Sequence, residues 1–406
     1  MEPITPGTMT TPPPIWKTCG NPCSTTKAVN MKKKLTKRIL ISLVIFAALD
    51  LVSGWILIPE NLNSFRTRHY YYHHGLLPNQ EKMTAWGALF YPLKTNSLGL
   101  IDSAVYRVEL QGDRHRILVL GDSHSEGVGV PYPLTFAGRL SESLKAKGME
   151  VLNASAVSYS QKIEYLKARH LIEQKKLEVD EILVLIDFSD IQNELVYKDF
   201  EPAEKGALGD LTYRFRKRLK NASTLYYLAD GIRTEKQQKA FFESVGAFYE
   251  DARDRPDRNI WELYSGFFSH FDDETLLSNP QFHGMGGWLE DQSFRDLALE
   301  GISSGQHYLL RLKQLCDEKE IKLTLSVHPW HLQIRNGTAE DEYVRRWKAF
   351  AAEHGMAFIN LYPLFISEED PEVVIRKYYI ANDNHWNEFG HAKVATFLED
   401  YFAEKP

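Results

Sequence analysis

Residues Glu181–Phe188 read EILVLIDF, an apolar run with no polar alternation inside it. A strand with one face in water alternates apolar and polar residues, whereas a strand covered on both faces is apolar throughout. The run therefore predicts a central parallel strand, and that requirement confines the chain to α/β architectures with helices above and below the sheet. Ile117–Leu120, Glu150–Asn153, Ile321–Val327 and Ala357–Tyr362 are also strand-like. Between them, Phe136, Leu140 and Leu144 fall at i, i+4 and i+8, ended by Gly148. Further helical stretches cover Gln161–Lys176, Tyr308–Glu318, Asp341–His354 and Glu388–Phe402. Parallel neighbours need helical crossovers, so this alternation predicts a doubly wound, five-stranded parallel sheet. In such sheets ligands gather beyond the carboxyl ends of the strands.

The sequence before that region is of a different kind. Residues 1–30 are rich in Pro and Thr, lack apolar periodicity and are expected to be disordered. Met31 opens a basic flank, 31–38, and is a candidate for the true translation start. Residues 39–58, ILISLVIFAALDLVSGWILI, are long enough to span a bilayer core of roughly 30 Å as a transmembrane helix. Asp50 is the blemish, costing on the order of 3 kcal/mol at mid-span. Lys32, Lys33, Lys34, Lys37 and Arg38 precede the span and would keep the N-terminus cytoplasmic. The chain beyond Pro59 is then expected outside the cytoplasm, single-pass in the inner membrane, with the lipid bilayer met through residues 39–58. A cleaved signal peptide is the rival reading, although no small-x-small exit ends the run. Residues 60–113 read as an extended linker packing onto the domain. The domain itself, 114–406, is interrupted by an insertion at about 196–305.

Composition narrows the function classes. A net charge of −6 gives no electrostatic case for a nucleic-acid partner. The three cysteines cannot build a disulfide framework, and Cys316, in YLLRLKQLCDE, reads as a buried apolar residue. No metal or organic cofactor is indicated, since His73 and His74 are adjacent and diverge in an extended chain. Within the insertion, LTYRFRKRLK reads as a solvated basic helix face. Trp261, Tyr264, Phe267 and Trp288 are either a sugar platform or core aromatics.

Residues 116–130, RILVLGDSHSEGVGV, run a buried strand straight into Gly121-Asp122-Ser123. A serine hydroxyl is a weak nucleophile and needs a base plus a group to orient that base. Residues 379–391, YIANDNHWNEFGH, hold Asp383 and His385 two positions apart on a loop before the last helix. That spacing lets the carboxylate reach Nδ1 and leaves Nε2 facing outward. Fourteen histidines compete, and His385 alone joins a near carboxylate to that loop. His124 adjoins the serine with its side chain expected to point away, and a core or capping role suffices for His391. Alternatively, Asp122 and Asp383 are only helix caps.

Taken together, Gly121-Asp122-Ser123 with Glu126-Gly127, and Asp383-Asn384-His385-Trp386-Asn387 with Gly390-His391, resemble the first and last blocks of the SGNH (GDSL) hydrolase family. Asn153–Ser158 occupies the place of the second block and Asp187–Asp190 that of the third, and the resemblance covers about residues 114–402 apart from the insertion. It implies an SGNH-type, flavodoxin-like sheet with Ser123 as nucleophile, His385 as base then acid, and Asp383 as orienter. Oxyanion donors would be the Ser123 N–H and the Ser158 N–H, the latter where the family has glycine. Ser189 stands where the family has asparagine, and Asn193, one turn on, is its candidate substitute. The implied activity is a membrane-anchored serine esterase acting on acyl, chiefly acetyl, esters of carbohydrate. The same residues would serve an O-acetyltransferase working with membrane acyltransferase or polysaccharide-synthesis partners, or survive in a catalytically degenerate glycan-binding protein. In LSVHPWHLQI, beyond the fourth strand, His328, Trp330 and His331 are candidate substrate contacts, with core packing as the alternative.

Overall fold

The computed structural model describes residues 23–57, 64–86, 89–202, 292–366, 369–381 and 383–403, with Leu289 and scattered positions from 212 to 229. Residues 1–22 and the insertion aromatics Trp261, Tyr264, Phe267 and Trp288 lie outside the described residues. The chain divides into two units, one of residues 1–58 with 217–231 and one holding the rest.

The first unit is built on a 35-residue helix, Cys23–Leu57, which begins inside the segment expected to be disordered. Its part Met31–Leu57 holds an 18-residue window with a mean hydropathy of 2.3 and is long and apolar enough to cross a membrane, as a signal sequence near the N-terminus can also be. Asp50 is provided for within this unit. Its Oδ1 accepts the Leu225 N–H at 2.9 Å, and Ser53 Oγ stands 2.8 Å from Thr224 Oγ1. One step on, a Cβ at Gly54 would meet the Ala222 carbonyl oxygen at 2.0 Å, so only glycine admits that backbone.

Among the described residues, the second unit carries ten strands: β1 (Arg66–His69), β2 (His73–Leu76), β3 (Glu81–Trp86), β4 (Leu89–Thr95), β5 (Ile101–Asp102), β6 (His115–Leu120), β7 (Met149–Asn153), β8 (Glu181–Ile186), β9 (Lys322–Val327) and β10 (Ala357–Asn360). β1 and β2 form an antiparallel ribbon. The other eight form one sheet in the order β10-β9-β8-β6-β7-β5-β4-β3. From β10 to β7 the neighbours are parallel, and β5, β4 and β3 extend the sheet antiparallel. The five expected strands are thus present, but the sheet has eight, and the expected linker 60–113 supplies the other three. Burial in β4 alternates over Tyr91, Leu93 and Thr95, the period-2 signature of a half-covered strand, in a segment otherwise dense with turn residues.

β8 is buried along its whole length, as an all-apolar run requires. Its Ile182, Val184 and Ile186 join one core with Ile163, Ile302, Leu309 and Trp347 from helices Gln161–Arg169, Gln292–Glu318 and Glu342–Glu353. Its Leu183 and Leu185 join the opposite core with Phe136, Leu140, Val374 and Leu398 from helices Phe136–Lys145, Pro371–Tyr378 and Glu388–Ala403. Fully burying each aliphatic side chain is worth roughly 1.5–3 kcal/mol, so covering both faces is what makes this strand the centre. Helix Gln292–Glu318 starts earlier than the boundary expected near 305, and at Gly301 it approaches the Ile191 carbonyl so closely that a Cβ would stand 2.4 Å away. The carboxyl ends of β6, β7, β8 and β9 all open on one edge.

Candidate active site

The turn after β6 is built around its first and last glycines. A Cβ on Gly121 would stand 2.3 Å from Ser125 Oγ, and Gly127 closes the short helix Ser123–Glu126 with a left-handed φ of 79°. Asp122 caps that helix by accepting the His124 N–H at 3.0 Å, and Asn153 fixes it from β7 by donating to the Ser125 carbonyl at 2.7 Å. Ser123 is left 8% exposed, at the rim.

His385 Nε2 lies 2.7 Å from Ser123 Oγ, and His385 Nδ1 lies 2.5 Å from Asp383 Oδ1. Asp383 Oδ1 also accepts the His385 N–H at 3.0 Å, and its Oδ2 accepts Trp86 Nε1–H at 2.6 Å. Burial pushes the Asp383 carboxyl up, but the His385 imidazole and these N–H donors outweigh it and hold Asp383 below the ordinary carboxylate range. An ionised Asp383 requires the proton on His385 Nδ1, which leaves Nε2 as the acceptor facing the serine. The loop is anchored at its far end by Asn387, whose Oδ1 accepts the Phe389 and Gly390 N–H groups and whose Nδ2 donates to the Tyr379 carbonyl. The structure brings these three expected residues together and adds Trp86, absent from the sequence reading, which reaches Asp383 from the end of β3 and lies edge-to-face with His385 at 5.0 Å.

Ser158 has a φ of 63°, the left-handed conformation that glycine adopts freely. The peptide before it is clamped on both sides. Val157 N–H donates to Glu126 Oε2 at 2.8 Å, and the Val157 carbonyl lies 2.8 Å from His74 Nε2. Burial holds His74 down at about 3, so it is neutral and its Nε2 carries the donated proton. Peptide planarity then directs the Ser158 N–H opposite to that carbonyl, away from His74. Glu126 is itself held by a bidentate Arg66 from β1, at 2.9 and 2.6 Å. Ser189 comes close to the nucleophile, its Oγ and Ser123 Oγ each lying 3.1 Å from Asp122 Oδ2. Ser189 Oγ lies 2.5 Å from Asp187 Oδ1 and 3.1 Å from Asp122 Oδ2, so the two carboxylates occupy its hydroxyl. Asn193 Nδ2 donates to the Tyr159 carbonyl at 3.4 Å.

His328, Trp330 and His331 are buried, beneath the site rather than on its surface. Trp330 Nε1–H donates to Asp187 Oδ2 at 2.8 Å, and His328 Nε2 stands 3.0 Å from the same oxygen. His331 packs edge-on against Tyr379 at 4.8 Å. These placements favour support over substrate contact, because the polar atoms of His328 and Trp330 point inward to Asp187. His124 also departs from expectation. Its ring turns into the same pocket, with Nδ1 3.1 Å from Asp187 Oδ2 and Nε2 3.0 Å from the Asn384 carbonyl. A carboxylate ending an otherwise apolar strand was the available signal for Asp187. Ligand atoms of His124, Asp187 and His328 lie within 4.8 Å of one another, near enough for a metal ion. Asp187 Oδ2 already accepts Trp330, and Oδ1 accepts both Ser189 donors, so hydrogen bonds from Trp330 and Ser189 occupy both carboxylate oxygens and the two histidines stand at ion-pair distance. His391, expected to cap or pack, accepts the Phe136 N–H on Nδ1 at 3.2 Å.

No protein-family model matches the chain, and no curated protein does. Among solved structures it is similar to a member of the lipolytic G-D-S-L family from Veillonella parvula, at 13% identity and a TM-score of 0.36, covering 72% of this chain and 100% of that one. It is also similar to a GDSL-like lipase from Bacteroides thetaiotaomicron, at 10% identity and a TM-score of 0.34, covering 73% and 92%. A lipase/acylhydrolase from Enterococcus faecalis gives 10% identity and a TM-score of 0.35, covering 71% and 95%. Likenesses this distant leave the chemistry of the site to its own atoms.

Proposed function

We propose that this chain is an SGNH-type serine ester hydrolase, held in the inner membrane by its apolar helix, with the α/β unit outside the cytoplasm. One observation carries the catalytic reading: an unbroken chain of contacts from Ser123 Oγ through His385 to Asp383, at 2.7 and 2.5 Å. A serine whose proton has an acceptor at that distance, on a base whose tautomer is fixed, is an activated nucleophile. Ser123 attacks an ester carbonyl while His385 Nε2 takes its proton. His385 then returns that proton to the leaving alcohol, and water, activated by the same nitrogen, releases the acid. Backbone N–H groups of Ser123 and Ser158 are assigned to the developing oxyanion, and loss of one such donor costs about 100- to 1000-fold in rate.

The substrate class is acyl esters, with acetyl esters of carbohydrate put forward on the strength of the block resemblance. The anchored, extracytoplasmic placement is supported by the 27-residue apolar helix and the basic residues before its core. Full-length protein in detergent is expected to release p-nitrophenol from p-nitrophenyl acetate and to bind a fluorophosphonate covalently at Ser123, located by peptide mass. A wild type no more active than Ser123→Ala, and unlabelled by the probe, would leave the chain a non-catalytic binding protein.

A further inference from the structure

We infer that His124 is a positioning residue of this site: a doubly protonated imidazole that ties the nucleophile turn to the base loop and sets a fixed positive charge beside His385. The inference rests on the esterase reading for its kinetic part and on geometry alone for the rest. His124 comes directly after Ser123, and its Nε2 reaches the carbonyl of Asn384, the residue between Asp383 and His385. A single side chain thus spans the two stretches that must meet, which are about 260 residues apart in sequence.

The charge is dictated by the group each nitrogen faces. A carbonyl oxygen only accepts, so Nε2 carries a proton. Nδ1 stands 3.1 Å from Asp187 Oδ2, outside hydrogen-bond geometry but within ion-pair range and too close for two lone pairs to face each other. An ionised carboxylate also only accepts, so Nδ1 needs a proton as well. Asp187 is fitted to be that anion. It is buried, and against the cost of burial the neighbouring His124 and the His328 donor hold it well below the usual carboxylate range. Burial and the His124 charge hold His328 down at about 4, so the two imidazoles, 4.3 Å apart, share one positive charge, and it sits on His124.

The groups facing His124 are Asp122 from its own turn, Asp187 beyond β8, His328 beyond β9, His385 from the base loop and His391 from the last helix. Its ring stacks on His385 at 4.6 Å and 29°. That stacking fixes the plane of the base ring from the side of the nucleophile turn.

Two measurements test this on the full chain in detergent. Nitrogen-15 NMR of histidine-labelled protein should show both His124 ring nitrogens protonated at pH 8, the resonances being assigned by their loss in His124→Gln. A single protonated nitrogen, or a stoichiometric bound metal with His124 coordinated, overturns the inference whether or not the protein is an esterase. In kinetics, His124→Asn keeps an amide near Asp187 but is too short for Asn384, whereas His124→Gln reaches Asn384 without the charge. His124→Asn is expected to lower kcat about 100-fold with little change in KM. His124→Gln should recover much of that loss, since its amide still reaches the Asn384 carbonyl. Equal losses in both variants would reduce His124 to packing and overturn the inference.

Discussion

The site contains two Asp–His pairs stacked on each other, and they differ chiefly in their access to the rim. Asp383 keeps 21% of its side chain exposed and aligns His385 on a hydroxyl that a substrate can reach. Asp187 and His124 are sealed at 1% each, with every facing group internal. The chemistry of the two pairs is the same, but an exposed pair can pass its proton to a reacting group, whereas a sealed pair can only hold one. The first should therefore register in rates, and the second chiefly in folding and alignment.

Substitution of the two aspartates breaks the comparison most sharply. Asp383→Ala should lower kcat by about 10³- to 10⁴-fold while moving denaturant unfolding by under about 1 kcal/mol. Asp187→Ala leaves a buried imidazolium without its counter-charge, and should cost about 3–5 kcal/mol in the same unfolding measurement. A large stability loss in the first, or none in the second, would erase the distinction drawn between them.

Acid comes next. His328 and His74 are held neutral at about 4 and about 3, against 6.5 for a free imidazole. With both values depressed, the unfolded chain binds the extra protons. Stability present above pH 6.5 is thus lost as pH falls toward the folded values, by up to about 1.4 kcal/mol per pH unit for each group. His124, shifted upward, contributes in the opposite sense: its share is present below pH 6.5 and fades as pH rises through its folded value. Thermal melts from pH 7 to 5 should show a smaller loss on acidification in a His74→Gln, His328→Gln double variant than in the wild type.

Trp86→Phe removes one donor from Asp383 and keeps the ring, so about a tenfold fall in kcat is expected, read at constant KM. The smallest effect is at Ser158, where glycine would relieve a left-handed residue and raise stability by about 1 kcal/mol with activity retained, since the assigned donor is backbone.

How much of this was legible in the sequence depends on how far each signal reaches along the chain. β8 and its parallel neighbours announce themselves because being covered on two faces demands an unbroken apolar run. β3, β4 and β5 do not, because an edge strand buried on one side reads as weak alternation, and β5 has only two residues. Ser123, Asp383 and His385 were visible because a nucleophile at a strand end and a carboxylate two residues from a histidine are local patterns. Trp86 to Asp383, and Arg66 to Glu126, are contacts across long stretches of chain, with no spacing to betray them. At His328 and Trp330 the pattern shows a polar cluster beyond a strand but not its direction, which depends on Asp187.

The edge hairpin of β3 and β4 has a practical consequence for anyone dissecting the molecule. Strand periodicity invites a cut just before β6, near residue 114. A fragment cut there would lose the antiparallel side of the sheet and the one pairing, Ile101 with Asn153, that joins it to β7. It would also forfeit Trp86, Arg66 and His74, and with them the grip on Asp383 and on the Ser158 peptide. Such a piece could give soluble, spectroscopically respectable material and a misleading blank in any assay of the site.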